Sequence, residues 1–252
     1  MDRLRIKEHA KPKVKAPIFV EGLPGIGHVG KLAAQHIVES GKAALWLTIH
    51  SVDFPPQVAV GEDGIIRLLK VEVWTIPAKG KSAPLVVMTG DAQPLTSQGQ
   101  HELVEAVLDR IEPLGCKSIY TLGGYGTGTR VEKPEVLAAA TDKATVVRLK
   151  KLGIRLPGDD TPGGGIIGAS GLFLGLGALR GMSGACLMGE TNGYLVDPKA
   201  ARAVLTALGK AVGRDFGTAD LEKRAADLDR ITAQLSEAMS TPQREGTEHY
   251  IG

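Results

Sequence analysis

The stretch best suited to chemistry is Gly25-Ile-Gly27-His-Val-Gly30, which follows a short apolar run and opens an amphipathic segment. In that setting Gly-x-Gly-x-x-Gly is the fingerprint of a dinucleotide cradle, with helix N-terminal amides facing a phosphate. Asp53, just past the next strand, stands where an acid could meet a ribose. Glu21 and Leu23-Pro24 lie between the strand and the fingerprint, and a carboxylate there repels a pyrophosphate. A tight strand-to-helix turn is therefore the preferred reading, with nucleotide binding kept as the alternative. Gly123-Gly-Tyr-Gly-Thr-Gly128 is a second glycine-rich loop after a strand. It lacks the Gly-Lys-Ser/Thr ending of a P-loop and reads better as a tight turn. Glu190 follows a strand end, where α/β proteins hold ligands. It is read as a cap on the next turn, with base or ligand as the alternative. Gly25, Gly27, Gly30, Gly124, Gly126 and Glu190 thus make up one candidate ligand loop.

Other catalytic patterns are missing. Gly168-Ala-Ser-Gly-Leu172 ends in leucine, so it is not a nucleophile elbow. The six histidines form no His-Glu-x-x-His, and no metal or cofactor is expected. Cys116 and Cys186 are not in a Cys-x-x-Cys pair; they read as apolar fillers in a reducing compartment.

The elements that hold these residues alternate between strand and helix. Short apolar runs at 17–20, 43–49, 85–88, 118–122, 145–147 and 185–188 read as strands. Segments 98–111, about 166–179 and 198–212 read as helices, the last capped by Asp197 with Pro198 in its first turn. Residues 58–60 and 65–76 read as a hairpin turning at 61–64. The fold class expected is α/β, with a mixed, mainly parallel sheet flanked by helices, plus a C-terminal helix. The segment 161–179 is uncharged, but seven glycines and a loop-like start make it a buried helix rather than a membrane span.

The 252 residues suit one good-sized core. A net charge of +2 and 4% aromatics single out neither nucleic acid nor an acidic membrane. The N-terminus lacks a secretory apolar stretch, which gives a cytoplasmic expectation. The domains expected are an arm over 1–16, an α/β body over 17–217, a helix over 218–239 and a flexible tail over 240–252. The arm is basic and reads as a solvated terminus or an edge strand. In the C-terminal helix Leu221, Ala225, Leu228, Thr232, Leu235 and Met239 are spaced 4, 3, 4, 3, 4. This heptad-like stripe suggests self-association through Leu221, Leu228 and Leu235, with packing on its own body as the alternative.

Several stretches, in order, resemble the archaeal proteasome assembly chaperone family. They are Phe19-Val-Glu-Gly-Leu-Pro-Gly-Ile-Gly27, Asp53-Phe-Pro-Pro56, Thr121-Leu-Gly-Gly-Tyr-Gly-Thr-Gly128 and Gly189-Glu-Thr-Asn-Gly-Tyr194, followed by Asp197-Pro198. The resemblance runs over roughly residues 15–240. It implies a fold similar to purine nucleoside phosphorylase without that family's catalytic site. It also implies a homo-oligomer acting on proteasome core-particle α subunits, as a non-catalytic assembly chaperone or activator-like adaptor. A C-terminal tail of hydrophobic residue, Tyr and any residue docks such proteins between α subunits; here His249, Tyr250 and Ile251 match. Two departures stand out: His249 is not clearly apolar, and Gly252 shifts the terminal carboxylate by about 3.3–3.6 Å. The alternative function is a small-molecule enzyme of nucleoside-phosphorylase type, or a nucleotide-binding module, using the glycine-rich loops.

Overall fold

A computed structural model describes residues 3–129, 131–158, 164–227 and 230. Among them is one eight-stranded sheet in the order β1 (Leu4–Glu8), β3 (Ala44–Ser51), β6 (Val71–Ile76), β7 (Leu85–Gly90), β2 (Ile18–Gly22), β8 (Ser118–Gly126), β10 (Ser183–Thr191), β9 (Val136–Ala140). The four strands β7, β2, β8 and β10 are mutually parallel and form the centre. Antiparallel pairs flank them: β1 with β3, β3 with β6, β6 with β7, and β10 with β9. The sheet is mixed, as expected, with a larger antiparallel share than the sequence suggests. The central strands are buried through their middle residues, and in β7, Leu-Val-Val-Met-Thr-Gly, all six residues are buried. That is why they read as continuous apolar runs.

Helices cover both faces. One face packs α1 (Val29–Ser40), α3 (Lys143–Lys151) and α5 (Pro198–Val212) on Val20, Val87, Tyr120 and Leu187. The other packs α2 (Ser97–Ile111) and α4 (Ala169–Leu179) on Phe19, Met88, Ile119 and Cys186. In α2, Thr96 caps Gly99 N, and Leu103, Val104, Val107, Leu108 and Ile111 form the buried stripe. In α5, Asp197 caps Ala200 N, Pro198 takes the first turn, and Gly213 closes the end at φ 65°.

Three expectations are corrected. Residues 145–147, read as a strand for their Thr-Val-Val run, lie inside α3. Asp142 accepts from the backbone N and hydroxyl of Thr145, and that cap outweighs β-branched propensity. The strand before it is β9, whose Val-Leu-Ala-Ala-Ala carries little β signal. Residues 65–76 do not form one strand. The chain breaks between β5 (Ile66–Leu68), which pairs only with β4 (Val58–Val60), and β6, which enters the main sheet. The glycine-rich stretch after residue 122 is strand as far as Gly126 rather than loop, because β10 pairs with it through Thr191. The edge-strand reading of the arm describes Leu4–Glu8, which pair with β3.

The helix expected over 166–179 is α4, and among the described residues no helix is long and apolar enough to cross a membrane. Residues 219–227 are helical. Their Leu221 is fully buried in the α1/α5 core and Ala225 is almost so.

Candidate functional site

The candidate residues gather at the C-terminal end of the parallel strands. The backbone leaves β2 through Leu23-Pro24, makes a short turn over Ile26–His28 with Gly27 at φ 60° and His28 at φ 51°, and enters α1 with no side-chain cap. A Cβ on Gly30 would meet Leu122 O at 2.1 Å, so glycine here lets α1 lie directly on β8. A Cβ on Gly124 would meet Ile26 O at 2.4 Å. The two glycine-rich stretches therefore pack on each other. The open sides of Gly27 and Gly124 face Thr191 and Ile26, so protein fills the space beside both, while Gly25 and Gly128 have nothing within 4 Å. Gly126 ends β8, where a Cβ would stand 3.8 Å from the Ile26 side chain.

Asp53 faces protein as well. Its carboxylate takes Arg3 Nη2 at 2.6 Å and the Thr96 hydroxyl at 2.7 Å, while Arg3 Nε also reaches Glu102 at 3.1 Å. It ties the N-terminal strand to the start of α2. Glu190 receives Glu135 N at 3.2 Å and Arg155 Nη1 at 3.4 Å, and so holds the segment before β9 and not the turn that follows it, which Asn192 caps by accepting from Tyr194 N and Leu195 N.

The residue underrated by the sequence is Glu21. It is fully buried on the α2/α4 face, in one row with Thr121 and Cys186 across three parallel strands. Leu23 N donates to one carboxylate oxygen and the Ser170 hydroxyl to the other, both at 2.8 Å. Gln93 bridges the same loops, donating to Pro24 O at 2.8 Å and accepting from Ala169 N at 3.1 Å. Burial pushes the Glu21 carboxyl up to about 7, against the two hydrogen bonds that favour its charge. Burial also pushes the neighbouring Cys186 thiol up to about 12. Only one signal could have exposed this cluster: a glutamate at the end of an otherwise apolar strand.

The structure brings Gly25, Gly27, Gly30, Gly124 and Gly126 together, with Glu190 tied separately to Arg155. Among the described residues no group of three or more His, Cys, Asp or Glu could hold a metal ion. His249, Tyr250 and Ile251, like Leu228 and Leu235, lie outside the described residues. Leu221 is corrected: sealed in its own core, it offers no surface to a second copy.

The strand order and this site define an α/β protein whose glycine-rich strand ends are closed by its own loops. The chain matches the PAC2 family over residues 19–236 and belongs to it. It is 39% identical over 243 residues to an uncharacterized protein of Methanocaldococcus jannaschii, covering 93% of this chain and 92% of the relative. The structure is similar to Pyrococcus furiosus PbaB, an archaeal proteasome activator, with TM-score 0.87, 37% identity, and 94% of this chain and all of that one covered. P. furiosus PbaA, an archaeal homolog of proteasome-assembly chaperone, matches at TM-score 0.77 and 25% identity, over 94% of this chain and 93% of that one.

Proposed function

We propose that this chain is a non-catalytic activator or assembly chaperone of the proteasome, binding α subunits of the core particle through C-terminal tails that include Tyr250. The observation that carries the reading is the similarity to the activator PbaB along the whole of that chain at 37% identity. The closed strand ends support it: Gly27 and Gly124 face the protein's own loops. A chemistry-free adaptor needs no open cavity there, whereas a nucleotide or nucleoside enzyme does. The likeness to purine nucleoside phosphorylase stays part of the proposal, as a statement of fold only. Repeated tails on a homo-oligomer would raise avidity by effective concentration. The cytoplasm is the matching compartment.

The test is binding of the full-length protein to purified core particle, beside Tyr250→Ala and a truncation after residue 239. Binding lost in both variants supports the tail. Retained binding moves the contact to the body, and no binding by any form overturns the proposal.

A further inference from the structure

The β4–β5 hairpin is built inside out. Val58 pairs with Leu68, Ala59 with Arg67 and Val60 with Ile66. The alternation of a strand puts Val58, Val60, Ile66 and Leu68 on one face and Ala59 with Arg67 on the other. A surface hairpin normally turns its apolar face to the core. Here only Ala59 of the small and charged face reaches the core, while the Arg67 side chain stays 47% exposed at its edge. Arg67 grips Asp91 with both guanidinium nitrogens, at 2.6 and 3.3 Å. The apolar four are left outside, 45–67% exposed. Slipping the register by one residue would turn them in, but the turn holds the register: Gly61 N bonds Ile65 O, and Ile65 N bonds the Asp63 side chain. Nor does the hairpin join the main sheet. A two-stranded ribbon gains little stability by itself, so its apolar face calls for a permanent cover.

We infer that this face is a self-association surface, covered by the same face of a second copy. Three properties select a second copy over another protein. The face carries no charged or hydrogen-bonding side chain, so it has nothing with which to discriminate among foreign surfaces. A flat strip of Val, Val, Ile and Leu is complementary to itself, as a two-fold contact requires. With the neighbouring Ile65, also 67% exposed, the strip offers roughly 500 Å² per copy. A pair that sealed all of it would bury up to about 1,000 Å², the lower limit for a specific interface. Stacked antiparallel, the two ribbons also keep their acidic tips, Glu62 and Asp63, at opposite ends.

The test is the solution mass of the full-length protein by light scattering, with Val60→Glu, Ile66→Glu and, on α3 away from the strip, Val147→Glu. Circular dichroism checks the fold; these side chains face solvent in the single chain, so the spectra should coincide. The expected result is a mass reduced at least two-fold in the first two variants and unchanged in the third. A monomeric wild type, or an oligomer whose mass Val60→Glu and Ile66→Glu leave unchanged, overturns the inference. A second reading leaves the face uncharged: in Val60→Cys, a bismaleimide with a flexible spacer of about 10–15 Å should couple two copies through the new thiols, because ribbons stacked face to face lie about 10 Å apart and Cys116 and Cys186 are buried. No covalent pair at a concentration where the wild type associates would overturn the face-to-face arrangement.

Discussion

The hydroxyl of Ser170 donates to the carboxylate of Glu21 across 149 positions of sequence, at 2.8 Å. This bond joins the first turn of α4 to the end of the central strand β2. It is one of four that lock three loops together at the strand ends. The lock is built around an acid that burial holds near neutrality, and the fold is therefore sensitive to pH at that point.

Glu21 titrates near 7 in the folded chain against an ordinary value of 4.5. A raised carboxyl favours folding below its unfolded value and loses that contribution as pH rises to the folded one. Relative to Glu21→Gln, the wild type should lose on the order of 2 kcal/mol between pH 5 and pH 8. Urea unfolding of both proteins across this range checks it. Parallel stability curves would show that the carboxyl is not perturbed in this way.

Gly30→Ala should cost about 3 kcal/mol or more, because its methyl would stand 2.1 Å from Leu122 O and push α1 off β8. Gly25→Ala, with nothing within 4 Å and an extended backbone at φ −156°, should stay within about 0.5 kcal/mol of wild type. Thermal melting of the two variants ranks them directly. Comparable losses would contradict the close approach.

Asp53→Ala should destabilise by about 1–3 kcal/mol, since it strips partners from Arg3 and Thr96 together. A cycle with Arg3→Ala should show coupling of about 0.5 kcal/mol or more. Strictly additive losses would mean that the N-terminal strand is not held through this carboxylate.

Leu221→Ala should cost about 2–4 kcal/mol, as for any fully buried leucine, and leave the oligomer mass unchanged. Melting and light scattering on the same sample give both readings. A loss of mass without a loss of stability would return Leu221 to an interface.

The sequence revealed the alternation of elements because the central strands are buried on both faces and so read as unbroken apolar runs. It revealed α5 and α2 through caps and helical spacing. It hid β9 because alanines pair as well as valines once a neighbour supplies the ladder. It misplaced α3 because a local Thr-Val-Val run outvotes a cap that only the folded chain displays. At the site, the glycines of both loops were visible but their purpose was not. Close approach to Leu122 and Ile26 looks, in one dimension, the same as close approach to a phosphate. Glu21 was visible too, yet its partners, Ser170 and Leu23, are set by the fold. The inverted hairpin went unnoticed because alternation gives a period and not a direction.

The position of β2 has a consequence for how the chain is made. Its neighbours are Leu85–Gly90 on one side and Ser118–Gly126 on the other. When the first 84 residues have left the ribosome, β2 is an apolar strand with neither edge paired. At about 5–20 residues per second it waits several seconds for both neighbours, and such long-range parallel pairing is slow in itself. The nascent protein thus passes through an interval in which its central strand offers two unpaired edges to other chains.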